Sequence, residues 1–344
     1  ELARLVGIAP STASMALSGD ERIRAKTRSI VAETATRLGY QPNRMARAMR
    51  TGRSGLLGVI VPSLRVSFFT DIVESIERNV SPLGLRILVT QATHGPAQFD
   101  REIELFLAQQ VDALVLTPIN PFADSIYRSR LADLGPAVVL INNPGLGPQV
   151  PGVVSDEPAL GQAAADLLLS HGHRRIACLH VVPRTQTTPP RIASAATAIK
   201  AAGGTAQLLA QPDTAASFQD YIARAAATLG QPAPPSAFLC SDDHMAAAVV
   251  RAAAQRGLSV PAALSVVSCA ALDLGRWSTP PITSIDQQPD RIGVAAVNLI
   301  QERLAGREPA VTTLVPGIVT AGESIARFLR VPADMTKRKP RKKK

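Results

Sequence analysis

From Ser54 onward the sequence alternates short apolar runs with longer stretches of helical periodicity, and no other feature constrains the fold as strongly. The apolar runs are nearly continuous, as in LLGVIV at 56–61 and AVVLI at 137–141. Strands of this kind are buried on both faces, which indicates parallel sheets covered by helices on both sides. Because 344 residues are enough for two or three cores, the sequence predicts an α/β core of two lobes.

The spacing of these runs predicts the individual elements. Strands are predicted at 56–61, 85–89, 113–116, 137–141, 175–180, 205–209, 236–240 and 264–269. Helices are predicted at 68–82, 98–109, 122–134, 157–172, 190–202, 215–229 and 242–256. Proline-bearing breaks near 142–151 and 279–289 are expected to carry the chain between the lobes. Ligands of such folds bind beyond the carboxyl ends of the strands, so we expect a ligand cleft between the lobes.

The first fifty-odd residues have a different pattern, with two short helices separated by a glycine turn and braced by a third. The first helix is expected to end near Val6 and to turn at Gly7. The second is expected to begin at Pro10 and to close at Gly19-Asp20, and a longer helix follows at about 25–38. This order is typical of a helix-turn-helix, the all-α head of the predicted fold.

The second helix of this head has two distinct faces. Its inner face is predicted to pack small side chains against apolar residues of the other helices: Ala13, Ala16 and Leu17 against Leu2, Leu5 and Val31. Its outer face carries Ser11, Thr12 and Met15, whose small hydroxyls and flexible thioether suit a DNA major groove. The alternative is a small helical subdomain whose exposed residues have no binding role.

The formal net charge of +10 is concentrated at the two ends of the chain. Residues 1–53 hold 10 basic and 4 acidic side chains, whereas residues 54–336 hold 20 basic and 23 acidic ones. The final eight residues, KRKPRKKK, add 7 basic side chains. A basic head on a mildly acidic body indicates a polyanion-binding domain. The end of the chain is predicted to be a disordered basic tail, which adds nonspecific phosphate affinity or only solubility.

A basic connector joins the head to the core. Pro42 prevents a smooth continuation of the third helix, and Gly52 can end a new one. Between them lie three arginines and two methionines: Arg44, Met45, Arg47, Met49 and Arg50. So short a helix is marginal in water, and we expect it to form when its arginines meet phosphates and a methionine wedges into the minor groove. The alternative is a solvated linker.

The sequence gives no sign of catalysis, metal binding or membrane insertion. Cys178, Cys240 and Cys269 lie in apolar runs without CxxC spacing, which predicts buried, reduced thiols in a reducing cytosol. His171 and His173 follow a predicted helix, where a C-terminal cap accounts for them. We find no nucleophile–base pair, metal cluster or phosphate-cradling glycine loop, so we predict no catalytic residue, metal or cofactor. The apolar runs are far shorter than the roughly 18 residues of a membrane span.

Six stretches, in order, resemble the lactose/galactose repressor (LacI/GalR) family of bacterial transcription regulators over nearly the full length: LARLVGIAPSTAS, TRLGYQPNRMARAMRTGR, GVIVPSLRVSFF, GHRRIACL, SDDHMAAAVVRAAAQRGLSVPAALSVVS and TPPITSIDQ. The resemblance implies a homodimer with hinge helices that order on palindromic operator DNA. It implies a core similar to periplasmic sugar-binding proteins, with a small-molecule effector between its lobes. It also implies a cytoplasmic, nucleoid-associated repressor whose effector is a sugar, sugar acid or related compound.

The resemblance also assigns residues. It implies base contacts by Ser11, Thr12 and Met15, phosphate contacts by the hinge arginines, and a minor-groove wedge at Met49. For the effector cleft it implies the aromatic pair and three polar side chains: Phe68, Phe69, Arg191, Asp242 and Gln287.

Several positions depart from the family pattern. Met15 stands where Arg or His is common, and Ala9 and Arg24 stand where a helix-capping Ser is usual. The segment Ser268-Cys269-Ala270-Ala271 lacks the carboxylate that commonly grips a sugar hydroxyl. Arg191 without that carboxylate suggests an acidic ligand, because Arg grips carboxylate or phosphate bidentately. The alternative is that Arg191 and Asp242 pair structurally and tight sugar binding is lost.

The predicted domains are a helix-turn-helix at 1–41, a hinge at 42–53, a two-lobed core at 54–330 and a basic tail at 331–344. Within the core, one lobe is expected at about 54–142 and 287–318, and the other at about 152–284. Two other classes share such a core. A solute-binding protein would need an export signal and no basic head, and a cleft enzyme would need catalytic residues that the sequence does not show.

Overall fold

A computed structural model describes residues 2–17, 19–40, 52–92, 95–118, 126–127, 131–142, 150–182, 188–212, 217–308 and 312–328. The chain forms two compact units, Glu1–Leu56 and Leu57–Lys344. Four predicted DNA-contacting residues of the hinge, and the basic tail, lie outside the described residues: Arg44, Arg47, Met49 and Arg50, with residues 331–344.

Three helices form the first unit: α1 at Leu2–Val6, α2 at Pro10–Leu17 and α3 at Ala25–Arg37. Gly7, with φ of 70°, makes the turn between α1 and α2, and Gly19, with φ of 78°, closes α2. Both glycines occupy the left-handed region, which a side chain disfavours. The predicted helix-turn-helix is therefore present in the head.

The core of the head is small and aliphatic. Its buried members are Leu2, Ala16, Val31 and Ala35, and Ala13 is also buried. The prediction for Leu5 is wrong, because this residue is 53% exposed. Val6 packs against the core instead, since it lies one helical turn after Leu2 on the side that α3 covers.

The second unit is built from strands and helices in alternation. Its strands are β1 Leu56–Val61, β2 Arg86–Gln91, β3 Ala113–Leu116, β4 Ala137–Ile141, β5 Gly152–Ser155, β6 Arg175–Val182, β7 Thr205–Pro212, β8 Ala237–Cys240, β9 Ser265–Ser268, β10 Thr283–Asp286, β11 Thr312–Val315 and β12 Ile318–Thr320. Its helices are α4 Ser67–Val80, α5 Pro96–Ala108, α6 Glu157–Ser170, α7 Thr188–Ala201, α8 Phe218–Leu229, α9 Asp243–Gln255, α10 Asp273–Arg276 and α11 Pro289–Leu304.

These strands form two six-stranded sheets, one in each lobe. The N-lobe sheet has the order β11-β5-β4-β3-β1-β2, and the C-lobe sheet has the order β12-β10-β9-β8-β6-β7. Wherever the register is described, pairing is parallel except between β10 and β12. The predicted fold class, a helical head followed by a two-lobed core of parallel sheets, is confirmed.

Aliphatic side chains fill the space between sheets and helices. In the N-lobe, α4 and α11 cover one face of the sheet, with Ile72, Ile76 and Ile300 fully buried. The two helices approach closely at Gly293, where an added Cβ would lie 2.5 Å from the Cβ of Ser75. The C-lobe sheet has one cluster on each face, which accounts for its near-continuous apolar strands.

The boundary between the lobes differs from the prediction. Residues 152–155 were assigned to the C-lobe, but β5 pairs with β4 and β11 in the N-lobe sheet, so the first crossing follows Ser155. The second crossing precedes α11, within the predicted 279–289 break. A third crossing was not predicted: β11 ends in the N-lobe and β12 begins in the C-lobe. These edge strands have four and three residues, too short for a clear apolar run.

The predicted helix at 122–134 is wrong in its described part. Residues 126–127 form a turn, and Leu131–Asp133 form a single 3-10 turn, with the rest of the stretch outside the described residues. Gly135, with φ of 88°, follows the 3-10 turn in the left-handed region that glycine favours.

The imidazole of His173 is buried in the C-lobe at the edge of the sheet opposite the cleft. His173 is 2% exposed, with Nδ1 at 2.9 Å from Ser236 Oγ and Nε2 at 3.1 Å from the carbonyl oxygen of Ala326. Because a carbonyl only accepts, Nε2 carries a hydrogen. Burial lowers the pKa of His173 below its usual value. The predicted C-terminal cap is His171, whose Nδ1 lies 2.8 Å from the carbonyl of Leu167.

We predict that His173 makes the core less stable in mild acid. Since its folded pKa lies below the unfolded value of about 6.5, the unfolded chain binds the proton more readily, and stability present at pH 7.5 is lost as pH falls below that value. Urea unfolding at pH 7.5 and pH 5.5 should show this fall in the wild type and a smaller one in His173→Gln. His171→Asn, on the same loop, is the control and should keep the wild-type difference; an unchanged difference in His173→Gln would contradict the prediction.

Candidate functional site

The cleft lies where the carboxyl ends of the two sheets meet. In the C-lobe, β8 and β9 lead into Ser241 and Cys269, and in the N-lobe β5 ends at Ser155. The predicted effector residues reach this region from α4, α7 and the segments that follow β8 and β10. The geometry of the predicted polar residues differs from what the sequence suggested.

Arg191 lies at the base of the cleft and is 5% exposed. Its Nε and Nη2 donate to the two carboxylate oxygens of Glu157 at 2.7 and 2.6 Å. Its Nη1 donates to the backbone carbonyls of Ser241 and Cys269 at 3.0 and 2.9 Å. The bidentate ion pair and the two carbonyls thus engage every nitrogen of the guanidinium.

The position of the pair follows from close packing of α6 on α7. Gly161 lies one turn after Glu157, and a Cβ added there would fall 1.9 Å from the carbonyl oxygen of Arg191. The absent side chain lets α7 approach until the guanidinium reaches the first turn of α6. Burial raises the pKa of Glu157, while the charge and hydrogen bonds of Arg191 lower it in part.

The predicted pairing of Arg191 with Asp242 is wrong. Asp242 is the N-cap of α9, and its Oδ1 accepts a hydrogen bond from the Met245 amide at 3.0 Å. Its side chain remains 34% exposed, with His244 Nδ1 at 3.8 Å. Glu157 is the carboxylate that neutralises Arg191, because it emerges from α6 directly opposite α7.

The sequence-based reasoning missed Glu157. It follows Asp156 at the start of a helix, where an acidic residue ordinarily reads as a partner of the helix dipole. The available signal was Gly161 inside the helix, since an interior glycine indicates close approach of another backbone.

Gln287 connects the two lobes. It is 6% exposed, and its Nε2 donates to the Cys269 carbonyl at 3.0 Å. Its Oε1 lies 3.3 Å from Ser155 Oγ at the end of β5. The Cys269 carbonyl therefore accepts hydrogen bonds from both Arg191 and Gln287. Through the amide of Gln287, the Arg191–Glu157 ion pair is connected to Ser155 of the N-lobe.

An aromatic pair forms the N-lobe wall. The rings of Phe68 and Phe69 meet edge to face, with centroids 5.2 Å apart and planes at 72°. Phe68 is buried, and the same apolar cluster contains Ala270 and Leu272 of the C-lobe. Apolar contact therefore replaces the carboxylate that the family pattern places near Ala270.

A buried carboxylate holds this C-lobe segment in place. Asp243, the first residue of α9, is fully buried and accepts a hydrogen bond from the Leu272 amide. Ser284 Oγ lies 3.3 Å from its other oxygen. The prediction that Asp243 begins a helix is confirmed, and its hydrogen bonds leave it without a catalytic geometry.

Two further polar side chains lie at the carboxyl ends of N-lobe strands. Thr117 follows β3 and is 1% exposed, and Asn142 follows β4 and is 7% exposed. Within the described part of the chain, Thr117 Oγ1 and Asn142 Oδ1 have no hydrogen-bond partner. Buried polar atoms without partners are costly, which marks both as candidate ligand contacts. The signal was present in the sequence, as a polar residue directly after each apolar run.

The head presents the predicted base-reading residues on one side of α2. Ser11 is exposed, and Thr12 and Met15 are half-buried. Ser11, Thr12 and Met15 belong to α2, whose buried residues are Ala13 and Ala16. Arg24, the N-cap of α3, makes no capping hydrogen bond with its side chain, as its departure from the family pattern predicts.

The cysteines and the metal-ligating side chains in the described ranges form no second functional site. Cys178, Cys240 and Cys269 are buried free thiols, and burial raises the pKa of Cys178 and Cys269 to about 12. Over the same ranges, no group of three or more His, Cys, Asp or Glu is arranged to hold a metal ion. No described helix is both long and apolar enough to cross a membrane.

Comparisons with known proteins match both units. Residues 1–43 match the family described as bacterial regulatory proteins, lacI family, and residues 165–325 match the periplasmic binding protein-like domain. The chain is 28% identical to the HTH-type transcriptional repressor CytR of Escherichia coli over 87% of each chain. It is 24% identical to the HTH-type transcriptional repressor PurR of Pasteurella multocida over 93% of this chain and 96% of PurR.

Solved structures have the same fold. The Lac repressor dimer bound to operator and the anti-inducer ONPF has a TM-score of 0.83 at 22% identity, with 94% of this chain and 98% of that chain covered. The transcriptional regulator CelR in complex with cellobiose has a TM-score of 0.70 at 22% identity, with the same coverage.

A helix-turn-helix head on a two-lobed core of this kind defines a class of DNA-binding transcription regulators that respond to a small ligand. The repressors to which it is similar are not enzymes. A lacI-family head followed by a periplasmic binding protein-like core is the arrangement that this chain shares with those repressors.

We predict that Glu157→Gln destabilises the core strongly. The change leaves the Arg191 charge buried without its carboxylate, which costs about 3–5 kcal/mol of unfolding free energy. Glu302→Gln is a matched control, because its ion pair with Arg307 is exposed and solvent-screened and should contribute little to stability. Urea unfolding of the three proteins at pH 7.5 measures the difference. Equal losses in the two variants would contradict the assigned role of Glu157.

Proposed function

We propose that this protein is a homodimeric repressor that binds palindromic operator DNA through its heads and a small neutral effector between its lobes. The observation that carries the effector half is the complete engagement of Arg191 by Glu157 and two carbonyls. The helix-turn-helix and the family relationship support the DNA half. The proposal places the protein in the bacterial cytoplasm, on the nucleoid.

The effector follows from the charges at the cleft. A guanidinium bound bidentately by Glu157 offers no free charge to a carboxylate or phosphate. Asp242 adds a partly exposed negative charge, which disfavours an anion further. Phe68 and Phe69 give an apolar wall, and Thr117 and Asn142 offer hydrogen bonds. We therefore assign the effector to neutral sugars and related neutral polyols; CelR, a structural neighbour, forms a complex with cellobiose.

The link between cleft and DNA runs through the lobes and the hinge. Gln287 bonds to Ser155 in the N-lobe and to Cys269 in the C-lobe, so a ligand that changes lobe closure must alter these contacts. In the proposed dimer, the closure angle sets the distance between the two hinge segments. The hinge at 42–53 lies mostly outside the described residues; a helix this short is marginal by itself, so we propose that a few kcal/mol of differential ligand binding decide whether it forms.

The surface of the C-lobe supports a dimer. Trp277, at the end of α10, is 78% exposed, and Leu274 on the same helix is 38% exposed. Large exposed apolar side chains close together are typical of protein interfaces, and a second copy of the chain is the partner that two-fold operator DNA requires.

The first test is binding to the DNA upstream of the protein's own gene. We expect a shift of a palindromic fragment whose affinity falls roughly 10³-fold or more between 50 and 200 mM salt. Met49→Ala should weaken binding severalfold by removing the wedge, whereas Met49→Leu should retain it. Equal affinity of Met49→Ala and wild type would remove the wedge from the proposal. Salt-independent binding, or no shift, would contradict the proposed function and favour a solute-binding protein or a cleft enzyme.

A further inference from the structure

The turn that follows α2 carries an arginine held in one direction by a neighbouring carboxylate. Arg22 Nη2 donates to Asp20 Oδ2 at 2.6 Å, and Arg22 Nε lies 3.0 and 3.1 Å from the two carboxylate oxygens. The Arg22 amide also donates to Asp20 Oδ1 at 3.0 Å. A side chain bound in this fork geometry loses most of its freedom to point elsewhere.

The turn itself is fixed to the helices on both sides. The Asp20 amide donates to the Met15 carbonyl at 3.1 Å, which ties the turn to the last residues of α2. From the other side, Arg28 of α3 donates to the carbonyls of Asp20 and Ile23. The orientation of Arg22 is therefore set by α2 and α3 together.

This orientation brings Arg22 beside the base-reading face of α2. Its Nη2 lies 3.9 Å from the Met15 sulfur, and its side chain is 79% exposed. Asp20 engages Nε and Nη2, and within the described residues of the head no hydrogen bond from Nη1 is found. Met15 is the position at which the helix lacks a polar reader, and the guanidinium of Arg22 beside it is a hydrogen-bond donor.

The carboxylate changes what this arginine can recognise. An exposed arginine alone is attracted to every phosphate, but a bidentate aspartate cancels most of that attraction and leaves the direction of the N–H groups. Such an arginine adds little to the affinity for DNA of any sequence. It adds more to the preference for DNA that has a hydrogen-bond acceptor at one position. In the major groove the acceptors that match a guanidinium are O6 and N7 of guanine.

We propose that Arg22, oriented by Asp20, reads a guanine edge in each operator half-site and supplies the donor that Met15 lacks. This inference rests on the proposed DNA-binding function and assigns a residue that contacts the base. Asp20 is a positioning residue, and the thioether of Met15 supports the guanidinium from the side.

The test is selection of binding sequences from random DNA with the full-length chain, followed by affinity measurements on the selected operator and on a scrambled duplex. Arg22→Ala should lose roughly fivefold to a hundredfold affinity for the operator and little for the scrambled duplex. The sequences that it selects should no longer require guanine at one position in each half-site. Arg37→Ala removes the same charge from the exposed end of α3 and is the matched control, with the wild-type preference retained.

Two further variants distinguish the effect of the orientation of the Arg22 side chain from the effect of its charge. Arg22→Lys keeps the charge and loses the fork, so it should lose the guanine preference while its salt dependence remains that of the wild type. Asp20→Asn keeps the shape of the turn and frees the arginine charge, so binding to scrambled DNA should increase while the preference for the operator falls.

The outcomes are distinguishable from failure of the proposed function. If the wild type selects no sequence, the DNA-binding proposal and this inference both fail. If the wild type selects an operator but Arg22→Ala behaves as Arg37→Ala, or Arg22→Lys keeps the guanine preference, only the role of Arg22 is overturned. Thermal unfolding of each variant shows whether a loss of binding comes from a loss of the folded head.

Discussion

The buried ion pair between Arg191 and Glu157 is the interaction around which the cleft is arranged. It ties α6 to α7, and through two backbone carbonyls it ties both helices to the ends of β8 and β9. The Cys269 carbonyl also accepts from Gln287, which reaches Ser155 in the other lobe. A buried charge is tolerated only when it is paired and hydrogen-bonded, so removing one member affects several elements at once. Under the proposed function, the same pairing limits the cleft to neutral ligands, because it engages the guanidinium of Arg191 completely.

The head and the core differ in charge and in what they are proposed to bind. The head carries the basic surplus that attracts DNA, whereas the core between the ends of the chain is mildly acidic. In the head, a small aliphatic core and two left-handed glycines fix the angle between α2 and its neighbours. In the core, Ser155 at the first crossing and Gln287 at the second lie within hydrogen-bonding distance of each other. Recognition of DNA and recognition of ligand therefore rest on separate units.

Most of the fold could be predicted from the sequence, because the apolar runs repeat regularly and glycines mark the turns between elements. Apolar strand runs such as AVVLI, and glycines such as Gly7 and Gly19, specify local structure by themselves. The errors concern tertiary contacts. Leu5 and Val6 are equivalent in local pattern, and only the placement of α3 separates them. The strand at 152–155 has only four residues, so the sequence does not show which sheet it joins. Glu157 has the same sequence context as any acidic residue at the start of a helix. In the sequence, Arg22 is one of ten basic residues among the first 53, and only the folded turn shows the direction of its side chain.

The central claim is that a neutral ligand in the cleft controls DNA binding. The most direct measurement is fluorescence anisotropy of the full-length protein on the DNA upstream of its own gene, with neutral sugars, sugar acids and sugar phosphates added in turn. We predict that at least one neutral sugar changes the Kd for this DNA about tenfold or more, and that its acid and phosphate counterparts leave the Kd unchanged. Calorimetry with the same compounds identifies those that bind. Binding and regulation by the sugar acids or phosphates alone would contradict the claim.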